Sequence, residues 1–341
     1  MSIQIHATLG PASFSPGQIE DLILAGADVL RLNLSHCRPD DLPHWVNLIR
    51  QISRSVGRTV NIAADIRGRK LRLGPLAAEP VLLTTSQAIV LHGVSDGQEL
   101  IGDQHAVWVN HPLLATSVVP GQVILLDDGA LRLRVTHIQD HEVTCRVEVG
   151  GPLPGRSGLN LPGAPSDLPA ISPKDRTDLD VIARLGVDSV YLSYVESGQD
   201  IALLRHALEE RGSLASIIAK VERSAALPCL GDIAAAADAV CLARGDLGVE
   251  IPLADIPFVQ RQAVARTHAA HKPFILAGEV LYSMVSRQIP ARAELTDVAI
   301  ALEQGVDGFI LSDETAVGIA PGVAVRTLVS LIAGMTRHLA R

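Results

Sequence analysis

Cysteines are few in this 341-residue sequence: the four present lie far apart, and no CxxC pair occurs among them. That spacing favours free thiols in a reducing compartment over disulfides or a zinc site. The N-terminus "MSIQIHATLGPAS" lacks a basic region followed by a long apolar run, and no uncharged stretch elsewhere is long enough to span a bilayer. We therefore expect a soluble cytoplasmic protein with no membrane partner.

A surplus of positive charge is also absent, because the net charge is −8. This balance argues against a general affinity for nucleic acid or for acidic membranes. Lysine is scarce as well, since the basic residues are nearly all arginine and lysine occurs at four positions, namely Lys70, Lys174, Lys220 and Lys272. A lysine retained in such a chain is a candidate for a site that needs a compact ammonium group, and chance retention is the alternative for each.

What the sequence does contain is a regular alternation of strands and helices. Short apolar runs that end in polar or glycine residues are "IQIHATLG", "VLRLNLSH", "VNIAADIRG", "SVYLSYVES", "SIIAKVER", "AVCLARGDLG", "PFILAGEV" and "GFILSDETA". Helical patterns such as "SPGQIEDLILAG" and "SPKDRTDLDVIARLG" lie between them, each opening with a serine cap and a proline. Eight such repeats predict an α/β fold, a (β/α)₈ TIM barrel.

One connection is too long to be a simple crossover. After the third strand, residues 70–165 contain several strand-like runs, including "AVWVNH", "VILLDDGALRLRV" and "EVTCRVEVG", with a hairpin turn predicted at Asp128 and Gly129. We predict an all-β lid domain over residues 70–165, inserted between the barrel segments 1–69 and 166–341.

The second strand carries polar side chains at alternate positions. Arg31, Asn33 and Ser35 share one face, and leucines occupy the other. A solvent-facing edge strand would explain this pattern. In a (β/α)₈ barrel the active site lies at the carboxyl ends of the strands. If the second strand belongs to such a barrel, these three residues would be active-site residues.

Other strand ends carry charged residues with complementary chemistry. Lys220 and Glu222 are two positions apart and share a face, and Asp246 follows the sixth strand. Glu222 and Asp246 can together hold a divalent cation, and Lys220 and Arg31 can neutralise phosphoryl oxygens during in-line transfer. A set of buried ion pairs, with Asp65 as a further member, is the purely structural alternative.

Several long motifs resemble those of the pyruvate kinase family over nearly the whole chain. They are "ATLGPAS", "RLNLSH", "NLPGAPSDLPAISPKD", "IIAKVE", "ARGDLGVEIP", "RAELTDVA" and "LSDETAVG", in the family's order. The family has a (β/α)₈ barrel with a β lid after the third strand, and usually a C-terminal effector domain that this sequence does not contain. The resemblance therefore implies no response through that effector site and an assembly no larger than a barrel-to-barrel homodimer.

The resemblance also implies roles for matching residues. Lys220 would stabilise the transferring phosphoryl group, and Arg31 would contact phosphate. Glu222 and Asp246 would bind Mg²⁺, for which Mn²⁺ can substitute, and the amides of Gly245 and Asp246 would receive the substrate carboxylate.

Further matches concern the nucleotide and a monovalent cation. Arg72 and His36 would lie on the nucleotide side, with Arg72 bridging to substrate phosphate, and Arg156 of the lid would approach the nucleotide phosphates. The monovalent-cation site would be matched by Asn33, Ser35 and Asp65.

Two segments depart from the family pattern. In "DIRGRKLRLG", Ile66 replaces a threonine and Lys70 replaces a glutamate, as in members in which a lysine stands in for potassium, so no potassium requirement is expected. In "AGEVLYSM", Gly278 replaces a threonine near the enolpyruvate carbon and Glu279 replaces a glutamine, which would leave space beside that carbon.

Three functions are consistent with these features. The first is a Mg²⁺-dependent phosphotransferase that acts on phosphoenolpyruvate and ADP. The second is a related enzyme for a different enol or 2-oxo acid, and the third is a non-catalytic paralogue that binds a phospho-metabolite. Retention of Lys220 with both carboxylates argues against the third.

Overall fold

A computed structural model describes residues 3–35, 37, 39–95, 98, 100–163 and 166–339. The first segment of the chain alternates strands with helices. Its elements are β1 (Gln4–Leu9), α1 (Pro16–Ala25), β2 (Val29–Asn33), α2 (Leu42–Ser55) and β3 (Asn61–Ile66).

The middle segment is composed mainly of short strands. Its elements are β4 (Leu71–Arg72), β5 (Val81–Leu83), β6 (Ala88–Gly93), β7 (Ala106–Val109), α3 (Leu114–Ser117), β8 (Val123–Leu126), β9 (Leu131–Gln139), β10 (Glu142–Val149), β11 (Gly151–Leu153) and β12 (Gly158–Asn160). They form a sheet in the order β4-β12-β8-β9-β10-β6-β7 and a separate pair of β11 and β5. The predicted hairpin is confirmed, because Gly129 N donates to Leu126 O at 3.1 Å between the antiparallel strands β8 and β9.

The last segment returns to alternating strands and helices. Its elements are α4 (Pro173–Leu185), β13 (Ser189–Leu192), α5 (Gly198–Glu209), β14 (Ser216–Val221), α6 (Leu230–Ala236), β15 (Ala239–Ala243), α7 (Arg244–Glu250), α8 (Ile256–Ala269), β16 (Phe274–Ala277), α9 (Arg292–Glu303), β17 (Gly308–Leu311), α10 (Asp313–Ala316) and α11 (Pro321–Leu339). Short 3₁₀ turns occur at Pro39–Asp41, Ser224–Ala226, Leu253–Asp255 and Tyr282–Val285.

Within the described residues, eight parallel strands close into one barrel. Their order around the barrel is β1, β2, β3, β13, β14, β15, β16 and β17, and β17 pairs with β1. The predicted (β/α)₈ TIM barrel is therefore confirmed, with the strands of the middle segment in sheets of their own. The limits 1–69, 70–165 and 166–341 for the three segments stay a prediction.

Capping residues mark the helix ends that the sequence predicts. Ser15 Oγ accepts from Gln18 N at the start of α1, and Gly26 ends the helix with φ of 117°. At the start of α4, Ser172 and Asp175 form a reciprocal capping box.

The described residues form three clusters of buried hydrophobic side chains, two in the barrel and one in the lid. In the barrel, Leu30 and Leu32 on the outer face of β2 pack with the apolar faces of the surrounding helices. The lid has its own core, in which Leu133 and Val143 are fully buried. The lid cluster shares no residue with the barrel clusters among those described. Two connecting segments attach the lid to the barrel.

Arg69 holds these two connecting segments together. It follows β3 on the way into the lid, and its Nε donates to the carbonyl of Leu168 on the return path at 3.1 Å. The same guanidinium pairs with Asp200 and Glu196 on the barrel side. No helix in the described part of the chain is long and apolar enough to cross a membrane.

Candidate active site

Charged side chains gather at the carboxyl ends of neighbouring barrel strands. Arg31 is 7% exposed on β2, Asp65 is 2% exposed on β3, and Lys220 is 7% exposed on β14. Because β2 pairs with β1 on one side and β3 on the other, it is not an edge strand. The solvent-facing interpretation of its polar face is therefore wrong, and Arg31 lies inside the barrel.

Asp65 is the centre of this cluster. Arg31 donates to Asp65 Oδ2 from Nη2 at 2.6 Å and from Nε at 2.8 Å. Lys220 Nζ lies 3.2 Å from the same oxygen and 2.8 Å from Glu222 Oε1. Ser193 Oγ donates to the other oxygen of Asp65 at 2.9 Å and lies 3.0 Å from Lys220 Nζ. The strand ends thus form three cation–carboxylate pairs, two of which share Asp65.

These contacts shift the pKa values of the cluster. Burial acts to raise the pKa of Asp65, but the charges of Lys220 and Arg31 outweigh it and hold that pKa below its usual value. Burial acts to lower the pKa of Lys220, yet Asp65 and Glu222 raise it above its usual value. Both groups are therefore charged at neutral pH.

Tyr194, just after β13, connects the two candidate metal ligands. Its backbone N–H donates to Glu222 Oε2 at 2.8 Å, and its hydroxyl donates to Asp246 Oδ1 at 2.6 Å. Burial raises the pKa of Glu222, with the nearby charge of Asp246 adding to that rise. Burial also acts to raise the pKa of Asp246, but Lys70 and the Tyr194 hydroxyl bring it below its usual value.

The chemistry of Glu222 and Asp246 fits a hard divalent cation. The charge of Asp246 contributes to the raised pKa of Glu222, so the two carboxylates repel each other. A cation bound between them would stabilise the charged form of both. Among the described residues, histidines, cysteines and acids form no group of three or more that could hold a metal. A site with two protein carboxylates, completed by water and substrate oxygens, is typical of Mg²⁺.

Lys70 contacts a different carboxylate from the one expected. The potassium-replacing role would bring its ammonium to Asp65, but Lys70 Nζ lies 3.3 Å from Asp246 Oδ1 and 5.4 Å from the ring centre of Tyr194. The physical reason is that Asp65 already has two cationic partners, Arg31 and Lys220. The expectation that Lys70 pairs with Asp65 is corrected accordingly.

The other residues of the expected monovalent-cation site lie next to Arg31. Asn33 Oδ1 accepts a hydrogen bond from Ser35 N at 3.1 Å, and both side chains are partly exposed. The oxygens of Asn33 and Asp65 are thus already hydrogen-bonded within the protein.

A cavity of about 440 Å³ opens beside this cluster. Its lining includes four residues to which the sequence analysis assigned a role at the site, namely Lys70, Gly245, Asp246 and Gly278. Carboxylates form much of the remaining wall, namely Asp128, Glu279, Asp313 and Glu314.

Gly278 does not leave the open space that its sequence position implies. Its φ is +89°, and a Cβ built on it would lie 2.8 Å from Gly245 N and 3.1 Å from Arg244 N. A threonine would collide with this backbone, so the interpretation of the missing side chain as a vacancy is wrong. The glycine instead permits a close approach of the β16 end to the turn that begins α7.

The nucleotide-side residues are in part described. Arg72 Nη1 donates to the carbonyl of Arg156 at 3.2 Å, and both arginines line a cavity of about 200 Å³ with Arg67 and Trp108. His36 lies outside the described residues.

Sequence reasoning missed Ser193 and Tyr194. The alternation along "SVYLSYVES" places Ser193 on the same face as Tyr191, so strand periodicity could have identified it. Strand periodicity does not predict the position of Tyr194, because β13 ends at Leu192. Its side chain is directed to the site by a left-handed backbone conformation with φ of +57°.

Fold and site together define a (β/α)₈-barrel protein with paired cations and carboxylates at its strand ends and a β lid. The family model "Pyruvate kinase, barrel domain" matches residues 1–325. Proteins named pyruvate kinase are 39% identical over 95% of the chain in Methylorubrum extorquens, and 38% identical over 98% of it in Agrobacterium vitis and Mycobacterium tuberculosis. The chain belongs to the pyruvate kinase family, and it spans 66% to 70% of the length of these relatives.

Proposed function

We propose that the chain is a Mg²⁺-dependent phosphotransferase that transfers the phosphoryl group of phosphoenolpyruvate to ADP, giving pyruvate and ATP. The observation that carries this proposal is the buried Lys220 ammonium, which lies between Asp65 and Glu222 at the barrel mouth. Family membership supports the reaction type, because the relatives are named pyruvate kinase.

Different residues would bind the phosphoryl group and the carboxylate of the substrate. Lys220 and Arg31 would bind phosphoryl oxygens and stabilise the charge that develops when the bond to the enol oxygen breaks and a bond to the ADP phosphate forms. The Gly245 and Asp246 amides would bind the substrate carboxylate. The enolate left behind takes up a proton to become pyruvate.

The metal and the nucleotide would use the remaining groups. Glu222 and Asp246 would hold Mg²⁺, or Mn²⁺ in its place, which supplies charge stabilisation and orientation to the phosphate oxygens. Arg72 and Arg156 would bind nucleotide phosphates from the lid side, because both residues line one cavity there.

Replacing Lys220 tests the proposal. We expect Lys220→Met to lower kcat by about 10²- to 10⁴-fold, because a cation aimed at developing charge is lost. The measurement is a coupled assay of pyruvate formation, with circular dichroism to verify folding and Lys220→Arg as a variant that keeps the charge.

Lys272→Met is the matched control, since Lys272 precedes β16 at the opposite end of the barrel. It should keep the activity of the parent protein. A folded Lys220→Met protein with activity close to that of the parent would contradict the mechanism.

A second candidate is an enzyme for a different enol or 2-oxo acid. The observation in its favour is Glu279, which lines the larger cavity beside Gly278 and would serve as an acid or base on such a substrate. Steady-state rates on phosphoenolpyruvate and on C3-substituted analogues distinguish the two candidates. Binding of phosphoenolpyruvate without turnover of any of these compounds would instead identify a binding protein.

Potassium should not activate the enzyme. Asp65, a member of the expected monovalent-cation site, is already paired with the two buried cations Arg31 and Lys220. A potassium ion would meet like-charge repulsion there. We expect equal rates in sodium, potassium and tetramethylammonium buffers at fixed ionic strength, and strong activation by potassium would contradict this expectation.

A further inference from the structure

Tyr194 has a backbone conformation that bulky residues rarely adopt. It lies two residues beyond β13 with φ of +57°, and it is 6% exposed. For a non-glycine residue this left-handed region is unfavourable, and residues that adopt it cluster at functional sites.

This conformation directs two donors of one residue at two carboxylates. The backbone N–H reaches Glu222 at 2.8 Å, and the phenol hydroxyl reaches Asp246 at 2.6 Å. Glu222 directly follows β14, and Asp246 lies in α7. The turn at Tyr194 therefore connects the ends of two separate elements. The two acids carry like charges, and a shared donor residue offsets their repulsion.

Lys70 reinforces the same arrangement from the lid connection. Its ammonium contacts Asp246 Oδ1, the oxygen that also accepts from the Tyr194 hydroxyl. Two donors on Oδ1 hold the Asp246 carboxylate in one orientation.

We propose that Tyr194 is a positioning residue for a divalent-cation site, because it holds Glu222 through its backbone N–H and Asp246 through its hydroxyl. This inference rests on the metal site of the proposed function. Partners that orient metal ligands commonly contribute about 10- to 100-fold to metal affinity.

The alternative is that the bond to Asp246 only provides a hydrogen-bond partner for the buried Tyr194 hydroxyl, without any effect on metal binding. Tyr191, on β13 itself, provides the comparison, because it is fully buried and its hydroxyl lies 2.7 Å from His6 Nδ1, away from both carboxylates. Tyr191→Phe and Tyr194→Phe each remove one buried hydroxyl and keep the ring.

The test is titration of the full chain with Mn²⁺ alone, with free Mn²⁺ measured by electron paramagnetic resonance. We expect Tyr194→Phe to raise the Kd for Mn²⁺ by about 10-fold or more. Tyr191→Phe should leave that Kd within about twofold of the parent value. Denaturation in EDTA measures the loss of stability that a buried hydroxyl causes in each variant, independently of the metal.

The results separate this inference from the proposed function. If the parent protein binds Mn²⁺ and Tyr194→Phe has the same or a lower Kd, the positioning role is overturned and the proposed reaction is unaffected. Equal weakening by Tyr191→Phe also overturns it, because a general effect of a lost hydroxyl would then suffice. A parent protein that binds no Mn²⁺ overturns both the inference and the metal site on which it rests.

Discussion

Asp65 is the residue on which the charged cluster at the barrel mouth depends. Its two oxygens bind the Arg31 guanidinium, the Lys220 ammonium and the Ser193 hydroxyl, and all of these groups are buried. Removing one member of a buried ion pair leaves the partner charge uncompensated, which is more damaging than losing an exposed pair.

Asp65→Asn should therefore lower the free energy of unfolding at pH 7 by about 3–5 kcal/mol. The folded-state pKa of Asp65 lies below its usual value of 3.8, so this contribution is present above about pH 4 and is lost as the pH falls further. The variant should consequently lose less stability than the parent between pH 4 and pH 3. Urea denaturation over this pH range measures the difference.

Asp21→Asn is the control, because Asp21 forms an exposed pair with Arg326 on the outside of the barrel. Its effect at pH 7 should stay within about 1 kcal/mol. Equal losses in the two aspartate variants would show that the Asp65 cluster is no stronger than a surface pair.

At the scale of elements, the end of β16 packs directly against the start of α7. The Gly278 carbonyl accepts from Arg244 Nε at 3.1 Å and from Nη2 at 2.8 Å, and Arg244 Nη1 bonds Asp297 on α9 at 2.9 Å. This contact holds the turn that contains Gly245 and Asp246. The glycine thus acts on the site through the position of a neighbouring element.

Gly278→Thr should destabilise the protein and slow turnover of phosphoenolpyruvate and of C3-substituted analogues alike. The new side chain would meet Gly245 N and would have to adopt a positive φ, which costs on the order of 1–3 kcal/mol before any clash. Thermal denaturation and steady-state kinetics measure the two effects.

Gly231→Ala is the control, because Gly231 lies in α6 and a Cβ added there would have no neighbouring atom within 4 Å. It should retain full activity and gain a little stability, since alanine favours a helix over glycine. A stable Gly278→Thr protein that gains activity on phosphoenolpyruvate would restore the interpretation of Gly278 as a vacancy.

At the scale of the whole molecule, the separate cores of barrel and lid predict unfolding in more than one step. Leu133 is fully buried in the lid core, and Leu30 is fully buried in the barrel core. Since the two clusters share none of the described residues, a cavity in one core should leave the other core unchanged.

Leu133→Ala should lower the stability of the lid by about 2–5 kcal/mol, and Leu30→Ala should do the same to the barrel. Hydrogen exchange measured by mass spectrometry assigns each loss, because peptides from 71–160 and peptides from the barrel strands are distinct in sequence. If both variants accelerate exchange equally in both regions, the molecule unfolds as one cooperative unit.

The sequence alone was sufficient for features that depend on near neighbours along the chain. Short apolar runs that end in polar or glycine residues predicted the eight barrel strands, Ser15 and Ser172 marked helix starts, and the Asp128–Gly129 pair marked a hairpin. These signals are local because side-chain alternation, capping and turn formation involve residues within a few positions of each other. The order of the longer motifs along the chain identified the family, and the match to those motifs identified the residues expected at the site.

Contacts between distant segments were decided by the tertiary structure alone. Lys70 pairs with Asp246 across 176 positions of the chain, and Tyr194 reaches the same carboxylate across 52. Gly278 meets Gly245 because two strand ends converge. Such pairings follow from how the closed barrel and the lid connections place the strand ends in space, and no pattern within one segment carries that information.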